Sequence, residues 1–279
     1  MNLKPGLYLV STPIGNLNDI TLRAINTLKN SDTILCEDTR ISRKLLEKHE
    51  ISNPLLVYND KSNEKRRLEI AKMIDNDKVI SLISDAGTPL ISDPGYKLVK
   101  QLKQDGYFVE VIAGICSPIA ALTVSGMPTD RFTFLGFLPK TLAAKEKLFT
   151  EFKELDTTLI FFETSNRLLS SLEIAIQVLG NREACVAREM TKIFQETKLD
   201  LLTNLYDYYK LHQPRGEIVL LISGKGESEI SIKQITAELL LQLQQNNSAK
   251  TATDIIYQKY KNNFSRNEIY KIANKLKNK

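Results

Sequence analysis

The stretch Ser84-Asp-Ala-Gly-Thr-Pro89 decides the fold, because this run of small and polar residues directly follows the apolar segment Val79–Ile83. The same arrangement occurs twice more, where an apolar run leads into Ser11-Thr-Pro-Ile-Gly-Asn-Leu17 and into Ala113-Gly-Ile-Cys-Ser-Pro118. Open α/β sheets bind small molecules in the crevice at the carboxyl ends of their strands. Three such loops at one sheet edge therefore predict a site that holds a nucleotide-like ligand through backbone groups.

Segments with helical periodicity separate these strands, as in Thr21–Leu28, so the first part of the chain is predicted to form a largely parallel sheet covered on both faces. A second set of strands follows Pro118. We therefore expect an α/β protein with two α/β domains, a cleft between them and a small C-terminal helical extension. The predicted boundaries are 1–116, 117–228 and 229–279.

The helical extension contains two amphipathic segments, followed by Ser265-Arg-Asn-Glu268, whose spacing is that of a capping box opening a third helix. Three short helices with a basic last one resemble a small helix-turn-helix unit. The alternative is a helical lid packed on the second domain.

Composition is ordinary for a globular protein, with 42% hydrophobic and 25% charged residues among 279. No apolar run reaches the roughly 18–20 residues of a membrane span, and no signal-peptide pattern opens the chain, so a cytoplasmic location is expected. Cys36, Cys116 and Cys185 are widely spaced and odd in number, and the two histidines lie far apart. These patterns favour buried thiols at Cys36 and Cys185 and predict no metal site.

Charge is concentrated at the C-terminus. Of the net charge of +5, residues 250–279 carry seven lysines and one arginine against two acidic residues, which leaves the remainder near neutral. A basic terminal segment indicates nucleic acid as a partner, although a solvated helix face is an equal alternative.

The absence of several known motifs limits the kinds of ligand that the three loops could bind. The sequence has no P-loop and no nucleophile elbow, and Gly224-Lys-Gly-Glu-Ser-Glu229 ends on a carboxylate that would oppose a pyrophosphate. S-adenosylmethionine fits, since it has no phosphate and its positive sulfonium suits carbonyls and carboxylates. Asp85 is well placed for that role, and its alternative role is to cap the next helix.

Five motifs together resemble the tetrapyrrole methylase family, and within it the members that methylate ribosomal RNA. These motifs are Leu7–Leu17, Glu37–Arg40, Ser84–Gly95, Gly126–Phe132 and Arg188–Lys192. The resemblance implies an S-adenosylmethionine-dependent 2′-O-methyltransferase that acts on a cytidine of small-subunit (16S) ribosomal RNA, as naked RNA or in the 30S subunit. It also implies a homodimer with the methyl donor in the cleft between the two domains.

The resemblance places the donor contacts on Pro13, Asp85, Gly87, Thr88, Cys116, Ser117, Met190 and Gly216. One loop departs from the family pattern. Members usually show Pro-Gly-Pro, then Cys or Ser, then Ala, whereas this chain has Ala113-Gly-Ile-Cys-Ser117. The loss of two prolines predicts a looser loop and a lower affinity for the donor.

A 2′-hydroxyl is a weak acid, so a proton acceptor should assist the reaction. Glu163 and Asp38 are the candidate catalytic residues, and a salt bridge from Glu163 to Arg167 is the alternative. Candidates for binding RNA phosphates are Arg23, Arg40, Arg167, Lys259 and Lys271. Arg23 and Arg40 could instead pair with Glu37 or Asp19 on the surface. Two other functions remain open: a corrin or sirohaem-precursor methyltransferase, and a non-catalytic ribosome-binding factor.

Overall fold

The computed structural model describes residues 3–59, 62–225, 232–245, 248–260 and 264–277. Two compact units are present. The first comprises residues 1–152 and 157–223 and contains both β-sheets, and the second comprises residues 153–156 and 224–279. In the described part of the chain, no helix has the length and apolar character needed to cross a bilayer.

The first sheet is fully parallel, as the sequence predicted, with the strand order β3-β2-β4-β1-β5. Its strands are β1 (Gly6–Val10), β2 (Thr33–Cys36), β3 (Leu55–Val57), β4 (Val79–Leu82) and β5 (Val109–Ile112). The accompanying helices are α1 (Leu22–Lys29), α2 (Thr39–Lys48), α3 (Glu64–Asp75) and α4 (Tyr96–Gln104). Apolar clusters cover both faces, so β1, β2 and β4 are almost completely buried.

Side-chain caps fix where the first helices begin. The Thr21 hydroxyl accepts a hydrogen bond from the Ala24 N–H at 3.0 Å, and the Asp38 carboxylate accepts one from the Arg40 N–H at 2.8 Å. Both side chains satisfy backbone donors that the first helical turn leaves unpaired. Asp38 therefore has a structural role at the start of α2.

The second sheet is mostly antiparallel and has the order β6-β7-β10-β8-β9, in which β6 pairs with β7 in parallel. Its strands are β6 (Phe132–Phe137), β7 (Thr158–Thr164), β8 (Glu183–Arg188), β9 (Glu196–Leu201) and β10 (Glu217–Ile222). The helices are α5 (Ser117–Val124), α6 (Leu142–Phe152), α7 (Leu168–Leu179) and α8 (Leu202–Leu211). One apolar cluster joins the sheet to α6, α7 and α8, and another joins it to α5, Ile14 and Met190.

The second unit contains α9 (Ile232–Gln244), α10 (Ala249–Tyr260) and α11 (Arg266–Lys277), which confirms the three predicted helices. Their shared core includes Ile235, Ile256 and Ile269. The capping box forms as expected: the Ser265 N–H donates to Glu268 Oε2 at 2.8 Å, and the Glu268 N–H donates to Ser265 Oγ at 3.3 Å.

The predicted domain boundary after residue 116 falls at the N-cap of α5. The boundary after residue 228 lies outside the described residues. Both boundaries stay predictions. The two sheets that the first boundary would separate belong to one compact unit.

Candidate active site

Hydrogen bonds join the three small-residue loops at the carboxyl edge of the parallel sheet. Thr12 and Gly87 form a two-way backbone bridge, with N···O distances of 2.8 and 3.0 Å. The Thr88 hydroxyl donates to the Ile115 carbonyl at 3.0 Å and accepts from the Ser11 hydroxyl at 3.3 Å. The loops that follow β1, β4 and β5 therefore form one continuous surface.

Two glycines make this close approach possible. Gly87 has a φ of +81°, in the left-handed region that side chains rarely adopt, and a Cβ there would lie 3.3 Å from Ile14 Cγ2. A Cβ on Gly114 would lie 2.6 Å from the Ser11 Cβ, which is closer than real Cβ atoms come. The loop that lacks the family's prolines is thus held by contact with Ser11 and by the Thr88 hydrogen bond.

The loop after β8 closes the site from the second sheet. The Asn16 N–H donates to Thr191 Oγ1 at 3.0 Å, and a Cβ on Gly15 would lie 2.5 Å from Lys192 Cγ. Lys192 itself lies between two carboxylates, with its Nζ 3.1 Å from Glu189 and 2.8 Å from Glu217. These contacts hold the first loop against the second sheet.

A cavity of about 430 Å³ lies between these loops and the second sheet. Its volume is within the range typical of small-molecule sites. Seven of the eight residues predicted to contact the donor line it: Asp85, Gly87, Thr88, Cys116, Ser117, Met190 and Gly216. The eighth, Pro13, is buried beside it, and the neighbouring Ile14 forms the wall in its place.

The lining of the cavity is acidic. Five acidic residues line it: Glu37, Asp85, Asp93, Glu163 and Glu217. The described lining residues include no lysine, arginine or histidine. Unlike charges attract and like charges repel more strongly where water is scarce. Cations outside the lining pair with Glu163 and Glu217, so Asp85 is the carboxylate that most favours a cationic ligand over one that carries phosphates.

Asp85 carries the clearest sign of a missing partner. Its Oδ1 is buried and has no hydrogen-bond partner among the residues the structure describes. Burial raises the pKa of this carboxyl group, with a further contribution from the charge of Asp38, while a hydrogen bond from the Asp38 backbone opposes both. A buried oxygen without a partner costs free energy, so it fits a group that receives its hydrogen bond from a bound ligand.

Glu163 is the best-partnered acid of the cavity. Its Oε1 accepts from the Thr164 N–H at 2.7 Å and lies 2.6 Å from the Arg167 guanidinium. Its Oε2 accepts from the Ser171 hydroxyl at 2.5 Å and lies 3.7 Å from the Nζ of Lys145, which is only 1% exposed. The structure thus shows the Glu163–Arg167 ion pair that the sequence offered as the alternative to a catalytic base.

Asp38, the other candidate base, is absent from the described lining of the cavity. Its carboxylate lies 2.5 Å from the Arg40 guanidinium, and hydrogen bonds from the Arg40 side chain and backbone lower its pKa to about 2. Such a low pKa makes a weak proton acceptor. Arg40 thus forms a surface ion pair, but with Asp38 and not with the Glu37 or Asp19 that the sequence offered.

The remaining candidates for RNA binding lie outside the cavity. Arg23 pairs with Glu110, Lys259 pairs with Glu238 in the helical unit, and Lys271 is exposed on α11. Arg167 is 23% exposed at its side chain and also donates to the Leu138 carbonyl at 3.2 Å. Cys36 and Cys185 are buried and Cys116 is half-buried, all three as free thiols.

Sequence reasoning missed part of the lining. Glu37, Asp93 and Glu217 face the cavity, and Phe137 and Phe162 form an aromatic wall with ring centroids 5.1 Å apart. Glu37 and Asp93 both lie within motifs that carried the family resemblance, so their positions at strand or loop ends were a usable signal. No sequence signal marked Glu217, because its approach to the cavity depends on antiparallel pairing in the second sheet.

Comparison with protein families identifies the class. The family model for Tetrapyrrole (Corrin/Porphyrin) Methylases matches residues 6–206. Among solved structures, a cobalt precorrin-4 methyltransferase shares the fold with a TM-score of 0.58 at 17% identity, covering 78% of this chain and 94% of that one. A diphthine synthase has a TM-score of 0.62 at 14% identity, covering 78% and 90%. The chain belongs to the tetrapyrrole methylase family, whose methyltransferases use S-adenosylmethionine as the methyl donor.

Within that family, the similarity extends over the whole chain to one group of proteins. Ribosomal RNA small subunit methyltransferase I of Rickettsia prowazekii is 55% identical over 99% of both chains. The protein of the same name from Mesorhizobium japonicum is 40% identical, covering 90% of this chain and 87% of its own. The family resemblance predicted from the motifs is thereby confirmed.

Proposed function

We propose that this protein transfers a methyl group from S-adenosylmethionine to the 2′-oxygen of a cytidine in small-subunit ribosomal RNA. In that transfer the methyl–sulfur bond breaks, a methyl–oxygen bond forms, and the 2′-hydroxyl proton passes to water. The acidic cavity with the unpartnered Asp85 oxygen supports binding of a cationic donor. The RNA substrate is supported by the 55% identity, over nearly the full length, to a protein named for that reaction class.

The residues of the cavity fit the donor. We assign the hydrogen bond to a donor N–H or O–H group to Asp85, and backbone contacts to the loop segments at Gly87 and at Ser117. Thr88 is a positioning residue, since its hydroxyl is engaged with Ser11 and Ile115. Bound in this cavity, the sulfonium supplies an electrophilic methyl carbon. Orienting an acceptor oxygen toward such a carbon contributes about 7–11 kcal/mol to lowering the barrier.

Glu163 acts on the acceptor side in this proposal, as a positioning residue and not as the base. Its carboxylate fixes the guanidinium of Arg167, which also receives support from the Thr164 hydroxyl at 3.0 Å. A guanidinium held in this way is suited to bind a phosphate, since its planar donors match phosphate oxygens. We propose that Arg167 contacts the RNA backbone beside the donor cavity.

The helical unit supplies a second candidate RNA contact. Lys271, Lys275 and Lys277 are exposed on α11, four and two residues apart, and Lys259 lies on α10. Lysines of this kind bind phosphates without reading sequence. The homodimer and the cytoplasmic location expected from the sequence are kept as parts of this proposal.

Methyl transfer to isolated small subunits tests the function directly. The protein is incubated with radiolabelled S-adenosylmethionine and with subunits from cells that lack the corresponding gene, and the modified nucleotide is mapped by resistance of its 3′ linkage to alkali. We expect one cytidine to become labelled and alkali-resistant. Label on uroporphyrinogen in a parallel reaction, with none on the subunits, would refute the RNA assignment in favour of the tetrapyrrole alternative.

A further inference from the structure

A second cavity, of about 480 Å³, adjoins the donor cavity within the same compact unit. It is enclosed by the start of the loop after β8, by β9, by the end of α8 and by the segment 212–216. Gly216 belongs to the walls of both cavities. The two spaces are close there, because a Cβ on Gly216 would fall 2.1 Å from the Glu189 carboxylate, which lines the second cavity.

The hydroxyl group of Tyr209 is a buried polar group at this second cavity that lacks a hydrogen-bond partner among the described residues. The residue is 1% exposed and lines the cavity, and its hydroxyl has no hydrogen-bond partner in the part of the chain that the structure describes. Burial raises its pKa, assisted by the charge of Glu196, so the hydroxyl stays protonated and can donate. Buried hydroxyls without partners are rare in native proteins and indicate a missing ligand or water.

The other walls of this cavity contain aromatic rings and one ion pair. Tyr208 and His212 stack with centroids 4.5 Å apart at an interplanar angle of 20°, and Phe194 is 73% exposed beside them. Arg188 is paired with Glu196, which also accepts from the Tyr208 hydroxyl at 3.4 Å. Lys198 Nζ lies 4.0 Å from the Tyr208 ring centroid, so the rings open to a base are those of His212 and Phe194, both exposed. Exposed aromatic rings of this kind bind unstacked bases of single-stranded RNA.

Arg215 adds a charge at the boundary between the two cavities. It is exposed, it precedes Gly216, and it forms no ion pair with any residue in the described ranges. Among the described residues that line the donor cavity there is no cation, so a phosphate next to it has to be bound from outside. An unpaired guanidinium at this position is available for the phosphate that joins two successive nucleotides.

We infer that the second cavity binds the nucleobase adjacent to the methylated nucleotide, with Tyr209 donating a hydrogen bond to that base and Arg215 holding the intervening phosphate. This assignment rests on the proposed RNA function. It makes the second cavity a specificity-determining part of the acceptor site, while the donor cavity remains independent of it.

The test uses the full-length protein, isolated small subunits and labelled S-adenosylmethionine. Tyr209→Phe removes one hydroxyl and keeps the ring, and we expect kcat/KM for the subunits to fall about tenfold, as for one lost hydrogen bond in a dry site. Arg215→Gln should raise KM for the subunits by a similar factor. Affinity for the donor, measured by calorimetry, should change less than about twofold in both variants.

Tyr206→Phe on α8 and Arg131→Gln before β6 are the matched controls, because neither residue lines the second cavity. Unchanged subunit kinetics in Tyr209→Phe would overturn the assignment and show that the hydroxyl faces only water. So would a change of oligomeric state in Arg215→Gln with unchanged kinetics, since the cavity would then receive a second copy of the chain. Absence of methylation by the unmodified protein would instead refute the proposed function.

Discussion

Asp85→Asn is the change that most directly tests the donor cavity. The side chains are nearly the same size, so the substitution removes the negative charge and leaves the packing intact. In the free protein, Oδ1 of Asp85 is already stripped of water and has no partner in the described residues. A donor group that reaches it gains a charge-assisted hydrogen bond without the cost of desolvating that oxygen.

The magnitude follows from that geometry. A hydrogen bond to a charged group contributes about 1.5–3 kcal/mol, which corresponds to about a 10- to 150-fold loss of donor affinity in the Asn variant. The stability of the free protein should move the other way. Burial raises the pKa of Asp85 in the folded protein, so its ionised form opposes folding at pH values above that pKa. Removing the charge should therefore leave the unliganded protein equally stable or more stable at neutral pH.

Calorimetric titration of S-adenosylmethionine, combined with thermal unfolding of the free protein, measures both effects. Because the ionised carboxylate is the form that attracts a cation, donor affinity of the unmodified protein should fall as pH drops through the raised pKa of Asp85, and Asp85→Asn should lose this dependence. Asp77→Asn is the control, since that exposed carboxylate after α3 lies outside the cavity lining and asparagine also tolerates the positive φ of 59° at this position. Equal donor affinity in Asp85→Asn and the unmodified protein would refute the assignment.

Two further predictions concern the acceptor side. Glu163→Gln should destabilise the protein by about 3–5 kcal/mol in denaturant titrations, because Lys145 would be left buried without an anion; Glu163→Gln combined with Lys145→Met should recover most of that loss. Burial already lowers the pKa of Lys145, so the Glu163→Gln variant should regain stability as pH rises. If the effects of Glu163→Gln and Lys145→Met on the free energy of unfolding simply add in the double variant, this account is wrong. The double variant Lys271→Gln, Lys275→Gln should bind RNA more weakly and with less dependence on salt, while its donor affinity stays unchanged. Filter binding at several salt concentrations measures this effect. An unaltered salt dependence would show that α11 does not contact RNA.

The first sheet and its loops could be predicted from the sequence because their signals are local. Each strand is a short apolar run that ends in a loop of small residues, and parallel pairing brings all such loops to one edge. The hydrogen bonds from Thr88 and Gly87 to neighbouring loops are what that rule implies. Five of the eight expected donor contacts (Asp85, Gly87, Thr88, Cys116 and Ser117) lie where these loops end and line one cavity, whereas Met190 and Gly216 come from the second sheet and were expected from the family resemblance alone.

The second sheet was harder, because its pairing is set by contacts between distant segments. Strand β9, Glu196–Leu201, is a polar edge strand, and α8 directly follows it, so neither was predicted. The short strand β3, Leu55–Val57, was missed as well. Strand β3 has only three residues, β9 has only two apolar residues, and α8 follows β9 without an intervening loop, so local periodicity does not separate these elements from their surroundings.

Lys145 shows the same limit at the level of one side chain. A lysine in an amphipathic helix is normally read as a solvent-facing residue, yet here it is 1% exposed, and its Nζ lies 2.9 Å from the Ser170 hydroxyl and 3.7 Å from Glu163. The sequence offered the ion pair between Glu163, near the end of β7, and Arg167, four residues further on, as the alternative to a catalytic base. It could not predict the lysine, because α6 meets α7 only through tertiary packing.

The distribution of charge in the first unit separates the two substrates of the proposed reaction. The donor cavity is lined by carboxylates, which attract a sulfonium and repel RNA phosphates, whereas Arg167 and Arg215 lie outside the cavity lining, next to residues that form it. After the methyl group leaves, the sulfur of the donor becomes a neutral thioether, so its attraction to these carboxylates falls when the reaction is complete. The same acidic lining that selects the donor therefore favours exchange of spent product for fresh donor. Its described residues include no cation that would draw the RNA backbone into the donor's place.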